Sequence, residues 1–198
     1  MLKLNKLNIA DWFSLYRIIA VPLLLAFILL DERLLFTWFL FISYSTDAID
    51  GFIARKLKIT SERGSQLDSF GDQITLVMAL VGLIVFETEF MRENVILIGI
   101  AFVPYVLQMI IAFWKYGKAT AFHTYLAKLS AIIQSVFILW LLFFGPVYWL
   151  FYTMIVLGVL ETIEEITLIF LFDEWVEGVR GIFWVRDKKR KMKSGISK

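Results

Sequence analysis

The 198-residue chain has no cysteine and a single histidine. These absences exclude disulfide frameworks, thiol nucleophiles and Cys-based zinc sites. Charge of one sign is equally scarce. Twenty Lys and Arg against 18 Asp and Glu leave a net +2, too little for the basic footprint of a nucleic-acid binder, so no nucleic-acid partner is expected. Apolar side chains are what the chain has in quantity: 60% of residues are hydrophobic, 17% aromatic, and the mean hydropathy is +0.76. Soluble domains hold about 45–50% apolar residues, so this composition predicts a membrane protein.

A membrane-crossing helix needs about 20 mostly apolar residues. Six stretches qualify: 13–30, 34–54, 66–86, 95–114, 125–144 and 147–172. The expectation is an all-α, polytopic protein of six transmembrane helices forming one domain over residues 1–198, with interfacial segments at the cytoplasmic N- and C-termini. The start, Met1 to Lys6, is positive like that of a signal peptide, but no clear small-residue cleavage site follows, so the first run is expected to be retained. With both termini cytoplasmic, only Arg33 and Arg92 of the 20 basic residues fall outside, which orients the spans by the positive-inside rule. The tail from Arg186 to Lys191, after Trp175, Phe183 and Trp184, reads as an interfacial segment on anionic lipid or as a plain positive-inside anchor.

Ten ionisable residues lie within or at the edges of these spans: Arg17, Asp47, Asp50, Arg55, Asp68, Asp72, Lys128, Glu161, Glu164 and Glu165. Each costs about 2.5–3.5 kcal/mol at the centre of a spanning helix. Seven are acids, so mutual pairing cannot neutralise them. Asp47 and Asp50 are three apart and Asp68 and Asp72 four apart, which puts each pair on one helix face. Four carboxylates on neighbouring helices, without His or Cys, make a hard oxygen site suited to Mg²⁺ or Mn²⁺, with room for two ions. The alternative is a set of acids hydrogen-bonded within a packed bundle.

As a string the segment is Asp47-x2-Asp50-Gly51-x2-Ala54-Arg55-x8-Gly64-x3-Asp68-x3-Asp72. It resembles the signature of the CDP-alcohol phosphotransferase (CDP-alcohol phosphatidyltransferase) family at all eight fixed positions and every gap. Near the N-terminus, Arg17 and Pro22 agree with a second pattern of the family, Ser14 replaces its Thr hydroxyl, and Ala10 and Asp11 stand where Pro and Asn are usual. The resemblance implies phospholipid biosynthesis in a bacterial cytoplasmic (inner) membrane. A phosphatidyl group would pass from CDP-diacylglycerol to a small polar alcohol, CMP would be released, and the active site would face the cytoplasm of a homodimer. It also implies Asp47, Asp50 and Asp68 as metal ligands, and Asp72 as both ligand and general base. Gly51, Ala54 and Gly64 would let the nucleotide approach the backbone, and Arg55 would clamp the donor diphosphate. Tight helix packing for the small residues and a snorkelling, positive-inside role for Arg55 are the alternatives.

For the acceptor, glycerol 3-phosphate is expected first, with serine, inositol phosphate or another polar alcohol open. Basic residues at the right depth are Arg17, His123 and Lys128, the last together with Ser130 and Gln134. Lys115 and Lys118 read as topology signals. Glu161, Glu164 and Glu165 share one helix face at the depth of Asp47, where they would line the same hydrated cavity, pair with Arg17 or Lys128, or contact the acceptor. A divalent-cation transporter is the competing function class, because intramembrane acids also mark ion pathways. A noncatalytic scaffold that binds nucleotide is the third.

Overall fold

The computed structural model describes the backbone of residues 9–57, 62–185 and 189–190, and the side chains of Tyr16, residues 19–46, residues 70–185 and residues 189–190. Among the described residues the chain is all-helical, with seven α-helices and no strand. They are α1 (Ile9–Leu29), α2 (Arg33–Leu57), α3 (Glu62–Phe86), α4 (Thr88–Glu93), α5 (Val95–Tyr116), α6 (Tyr125–Phe144) and α7 (Tyr148–Leu171), followed by a 3-10 turn at Ile182–Trp184.

The six long helices fall on the six expected apolar stretches, with ends displaced by a few residues. The short α4 is the addition, and it lies between the third and fourth of those stretches. Two of the helices, α5 and α6, are long and apolar enough to cross a membrane among the described residues. Elsewhere α2, α3 and α7 carry acids that dilute their hydropathy. Pro22 and Pro104 sit inside α1 and α5, and both helices run on through them. The tail beyond Arg190 lies outside the described residues.

The helices gather into two compact units. In the first, α1 packs on α2 and α3, and residues 138–144 of α6 belong with them. Its core is made by Ala20, Leu24, Phe36, Leu40, Ala79 and Leu83, with Leu141 from α6. One close contact is a ring against bare backbone: a Cβ at Gly82 would run into the buried Phe36 ring. Arg33 caps α6, donating from Nε and Nη2 to the Leu142 carbonyl at 3.1 and 2.8 Å, a group that the helix end leaves without an intrahelical partner. The same guanidinium pairs with Glu87. Burial raises the Glu87 carboxyl above its ordinary range although Arg33 pulls it down.

In the second unit α5 packs on α7 around Ala112, Phe122, Leu168, Ile169, Phe172, Val176, Val179 and Val185. The last three lie beyond α7, so the chain returns along its neighbours after the helix ends. Gly117, at φ +71, closes α5 and releases the connection 117–124, and residues 173–185 run beside it. Val179 donates its amide to Phe122 O at 2.7 Å, and Gly178 to Ala121 O at 3.1 Å. Trp175 Nε1 donates to Ala119 O at 2.9 Å, so Trp175 anchors this connection. Phe183, at 90% exposure, remains fully available to its surroundings.

Gly82→Ala should destabilise the protein by about 1–3 kcal/mol, the usual cost of overpacking a core. Thermal unfolding in detergent measures this loss. Adding Phe36→Leu should recover part of it.

Candidate active site

The eight signature residues all lie on α2 and α3, within the first unit. Only four residues, 58–61, separate these 25-residue helices, and the two pack against each other, so they run in opposite directions. Asp50 and Asp47 precede the end of α2 at Leu57 by seven and ten residues. Asp68 and Asp72 follow the start of α3 at Glu62 by six and ten residues. At 1.5 Å per residue the α2 pair is about 10 and 15 Å from its helix end, and the α3 pair about 9 and 15 Å from its own. The two pairs therefore stand at matching levels of an antiparallel helix pair.

The side chains of Asp47, Asp50, Gly51, Ala54, Arg55, Gly64, Asp68 and Arg17 lie outside the described residues. Asp72 is described, and its side chain is exposed. Among the described residues no group of three His, Cys, Asp or Glu side chains forms a metal site. The chemistry of the donor set fits a hard divalent ion nonetheless: four carboxylates at two levels, with the chain's only His far along the sequence at position 123.

The acceptor candidates described by the structure belong to the second unit. His123 is exposed and holds a left-handed backbone at φ +55. Lys128 is exposed on the first turns of α6, with its ammonium 5.8 Å from the centre of the Tyr125 ring. Lys115 and Lys118 do more than mark topology: Lys115 Nζ donates to the Ile169 carbonyl at 2.7 Å, and Lys118 Nζ lies 3.7 Å over the Trp175 ring.

Each acid of α7 meets a different neighbour. Glu161 accepts a hydrogen bond from the buried Ser130 of α6. Glu164 Oε1 accepts the Ile182 amide at 3.2 Å, while its Oε2 is buried without a hydrogen-bond partner. Glu165 is 9% exposed, and its Oε2 accepts from Gln108 Nε2 at 2.8 Å and from Thr120 Oγ1 at 2.7 Å. The donors here are neutral, and Lys128 is directed to Tyr125. Gln108 and Thr120 were not among the sequence candidates. Gln108 carried a readable signal as a lone amide in the apolar α5; Thr120 carried none, because only the fold brings the connection under α7.

The CDP-alcohol phosphatidyltransferase family model matches residues 7–163. Among curated relatives, a CDP-diacylglycerol–glycerol-3-phosphate 3-phosphatidyltransferase of Yersinia enterocolitica is 36% identical over 84 residues, 38% of this chain and 43% of that protein. Proteins of the same name are similar in Haemophilus influenzae, 39% identical over 79 residues, and Sodalis glossinidius, 35% identical over 83. The matched stretch covers less than half the length of these relatives, 43% in each case.

Glu165→Ala should cost about 1–3 kcal/mol of stability, because it removes the carboxylate acceptor of the buried Gln108 amide and of the Thr120 hydroxyl. Glu165→Gln keeps an acceptor in place and should cost less. Unfolding of the two variants in detergent separates them.

Proposed function

The chain belongs to the CDP-alcohol phosphatidyltransferase family, and on that premise we propose that it is a membrane enzyme of phospholipid synthesis, transferring phosphatidyl from CDP-diacylglycerol to glycerol 3-phosphate and releasing CMP. The observation that carries this reading is the complete signature set out at matching levels of α2 and α3. The names of the relatives support the donor and the acceptor.

In this reading Asp47, Asp50, Asp68 and Asp72 hold two Mg²⁺ or Mn²⁺ ions, whose chemistry there is neutralisation of phosphate oxygen charge. Asp72, exposed on α3, takes the proton from the acceptor hydroxyl. The hydroxyl oxygen forms a bond to the phosphatidyl phosphorus, and the bond from that phosphorus to CMP breaks, with its electron pair leaving on CMP. Arg55 holds the donor diphosphate by paired hydrogen bonds, and Gly51, Ala54 and Gly64 keep the nucleotide's path clear of side chains. Arg17, on α1 of the same unit, supplies positive charge for the acceptor phosphate. Six crossings, cytoplasmic termini, a site facing the cytoplasm and a homodimer complete the proposal, supported by the distribution of basic residues and by the family.

Purified protein in lipid nanodiscs, given CDP-diacylglycerol, Mg²⁺ or Mn²⁺ and glycerol 3-phosphate, should release CMP. Asp72→Asn should lower that rate by about 10²-fold or more, the range of a lost general base. A folded preparation that forms no CMP with glycerol 3-phosphate, serine or inositol phosphate would defeat the proposal, and chelation of the divalent ion should abolish turnover.

A further inference from the structure

Residues 173–185 follow α7 as a strap in the second unit and lie beyond the family match, which ends at residue 163. The apolar residues of the strap divide between two faces. Val176, Val179 and Val185 are buried with Ala112, Leu168 and Ile169, which fixes one face on the last turns of α5 and α7. Phe183 and Trp184 stay outside that core and are exposed, with their rings edge-on at 6.3 Å.

Helix ends set the level of this strap. Of the described helices, α5 and α6 are long and apolar enough to cross a membrane; α5 ends at Tyr116 and α6 starts at Tyr125. The Tyr116 hydroxyl lies 3.0 Å from the Ile169 carbonyl and 2.7 Å from the Phe172 carbonyl, which brings the end of α7 to the end of α5. Arg180 O accepts the Tyr125 amide at 3.1 Å, and the Trp184 ring meets the Tyr125 ring at 5.8 Å, which brings the strap to the start of α6. Trp114, 89% exposed in the last turn of α5, stands at the same end. Exposed Trp and Tyr rings where spanning helices begin and end form an aromatic belt, the level at which such rings sit among lipid headgroups.

Charge separates along the strap. The first half carries the exposed Asp173, Glu174 and Glu177, and it runs along the connection 117–124 through Trp175 and the bridge between Ala121 and Glu177. From residue 180 the sign reverses: residues 180–191 hold six basic residues against one acid, Asp187. Arg180, Lys189 and Arg190 are exposed, and Lys189 Nζ stands 5.7 Å from the centre of the Phe172 ring. The aromatic turn is held between these cations. Glu164 Oε1 accepts the Ile182 amide at 3.2 Å, Trp184 donates its amide to Gly181 O at 3.0 Å, and a Cβ at residue 181 would stand 3.0 Å from Glu164 Oε1. A turn fixed before contact gives up little freedom on meeting a surface.

We propose that the second half of the strap is a binding surface for anionic phospholipid: Phe183 and Trp184 enter the interfacial layer of the bilayer, and Arg180, Lys189 and Arg190 take the phosphates of anionic headgroups. Charge complementarity selects the lipid, since a zwitterionic headgroup brings no net charge to this excess of cations. The surface depends on the membrane placement proposed above and on no step of the transfer reaction.

The test compares the full chain in nanodiscs of phosphatidylcholine alone and of phosphatidylcholine with phosphatidylglycerol. Amide hydrogen exchange at residues 180–190 should slow about tenfold in the anionic discs, through less frequent local opening. Arg180→Gln, Lys189→Gln and Arg190→Gln combined should remove most of that difference, because each cation near an anionic surface is worth about fivefold in binding. Salt at about 1 M, which shortens the screening length to about 3 Å, should do the same. The chain has no cysteine, so a nitroxide on Phe183→Cys reports the depth of this position, and it should meet oxygen more readily than a water-soluble nickel chelate. Equal exchange in the two lipids, a lipid effect that survives the triple replacement, or a nitroxide as open to the chelate as one in water would overturn the surface. A chain that stays in solution without lipid removes the membrane placement itself. A chain that shows the lipid effect and makes no CMP keeps the surface and loses the reaction.

Discussion

A carboxyl group carried into an apolar helical bundle has to be matched by a donor, a cation or water, because an unmatched one costs several kcal/mol. Two ways of meeting that constraint divide this molecule. On α7 the acids are met by neutral donors: Ser130 for Glu161, the Ile182 amide for Glu164, and Gln108 with Thr120 for Glu165. On α2 and α3 the four aspartates stand in pairs at equal levels, a pattern that suits a shared hard cation better than a scatter of individual hydrogen bonds. The first arrangement is architectural, and the second is the basis of the proposed chemistry.

The same demand for partners acts on the backbone. Helix ends expose amides and carbonyls, and this chain covers several of them with side chains or strands of backbone from distant positions. Arg33 covers the Leu142 carbonyl, Lys115 and Tyr116 reach Ile169 O, and Arg180 O takes the Tyr125 amide. Such contacts join elements that a purely apolar interface would leave free to slide, since lipid tails are as apolar as leucine. Within the first unit, steric fit adds to this: the absent side chain at Gly82 is the space that Phe36 fills.

The family match ends at residue 163, and the part of the chain beyond it adds to the second unit. The strap after α7 adds buried apolar residues to the second unit at Val176, Val179 and Val185, and it places an aromatic pair beside the start of α6.

Much of this was legible in one dimension. Long apolar runs mark helices because a buried backbone must satisfy its own hydrogen bonds, and the six long helices lie where those runs do. The three- and four-residue spacings of the aspartates place each pair on one face by helix geometry alone. The partners of Glu164 and Glu165 were hidden, because Thr120 and Ile182 are 45 and 18 residues from the acids they meet and carry no periodic signal. Sequence by itself determined the helices, the spacing of the carboxylates and the family, all set by contacts or patterns local along the chain. Only tertiary structure decided which donor answers each acid of α7 and what the tail covers, because those choices depend on which distant backbone segments come to lie side by side.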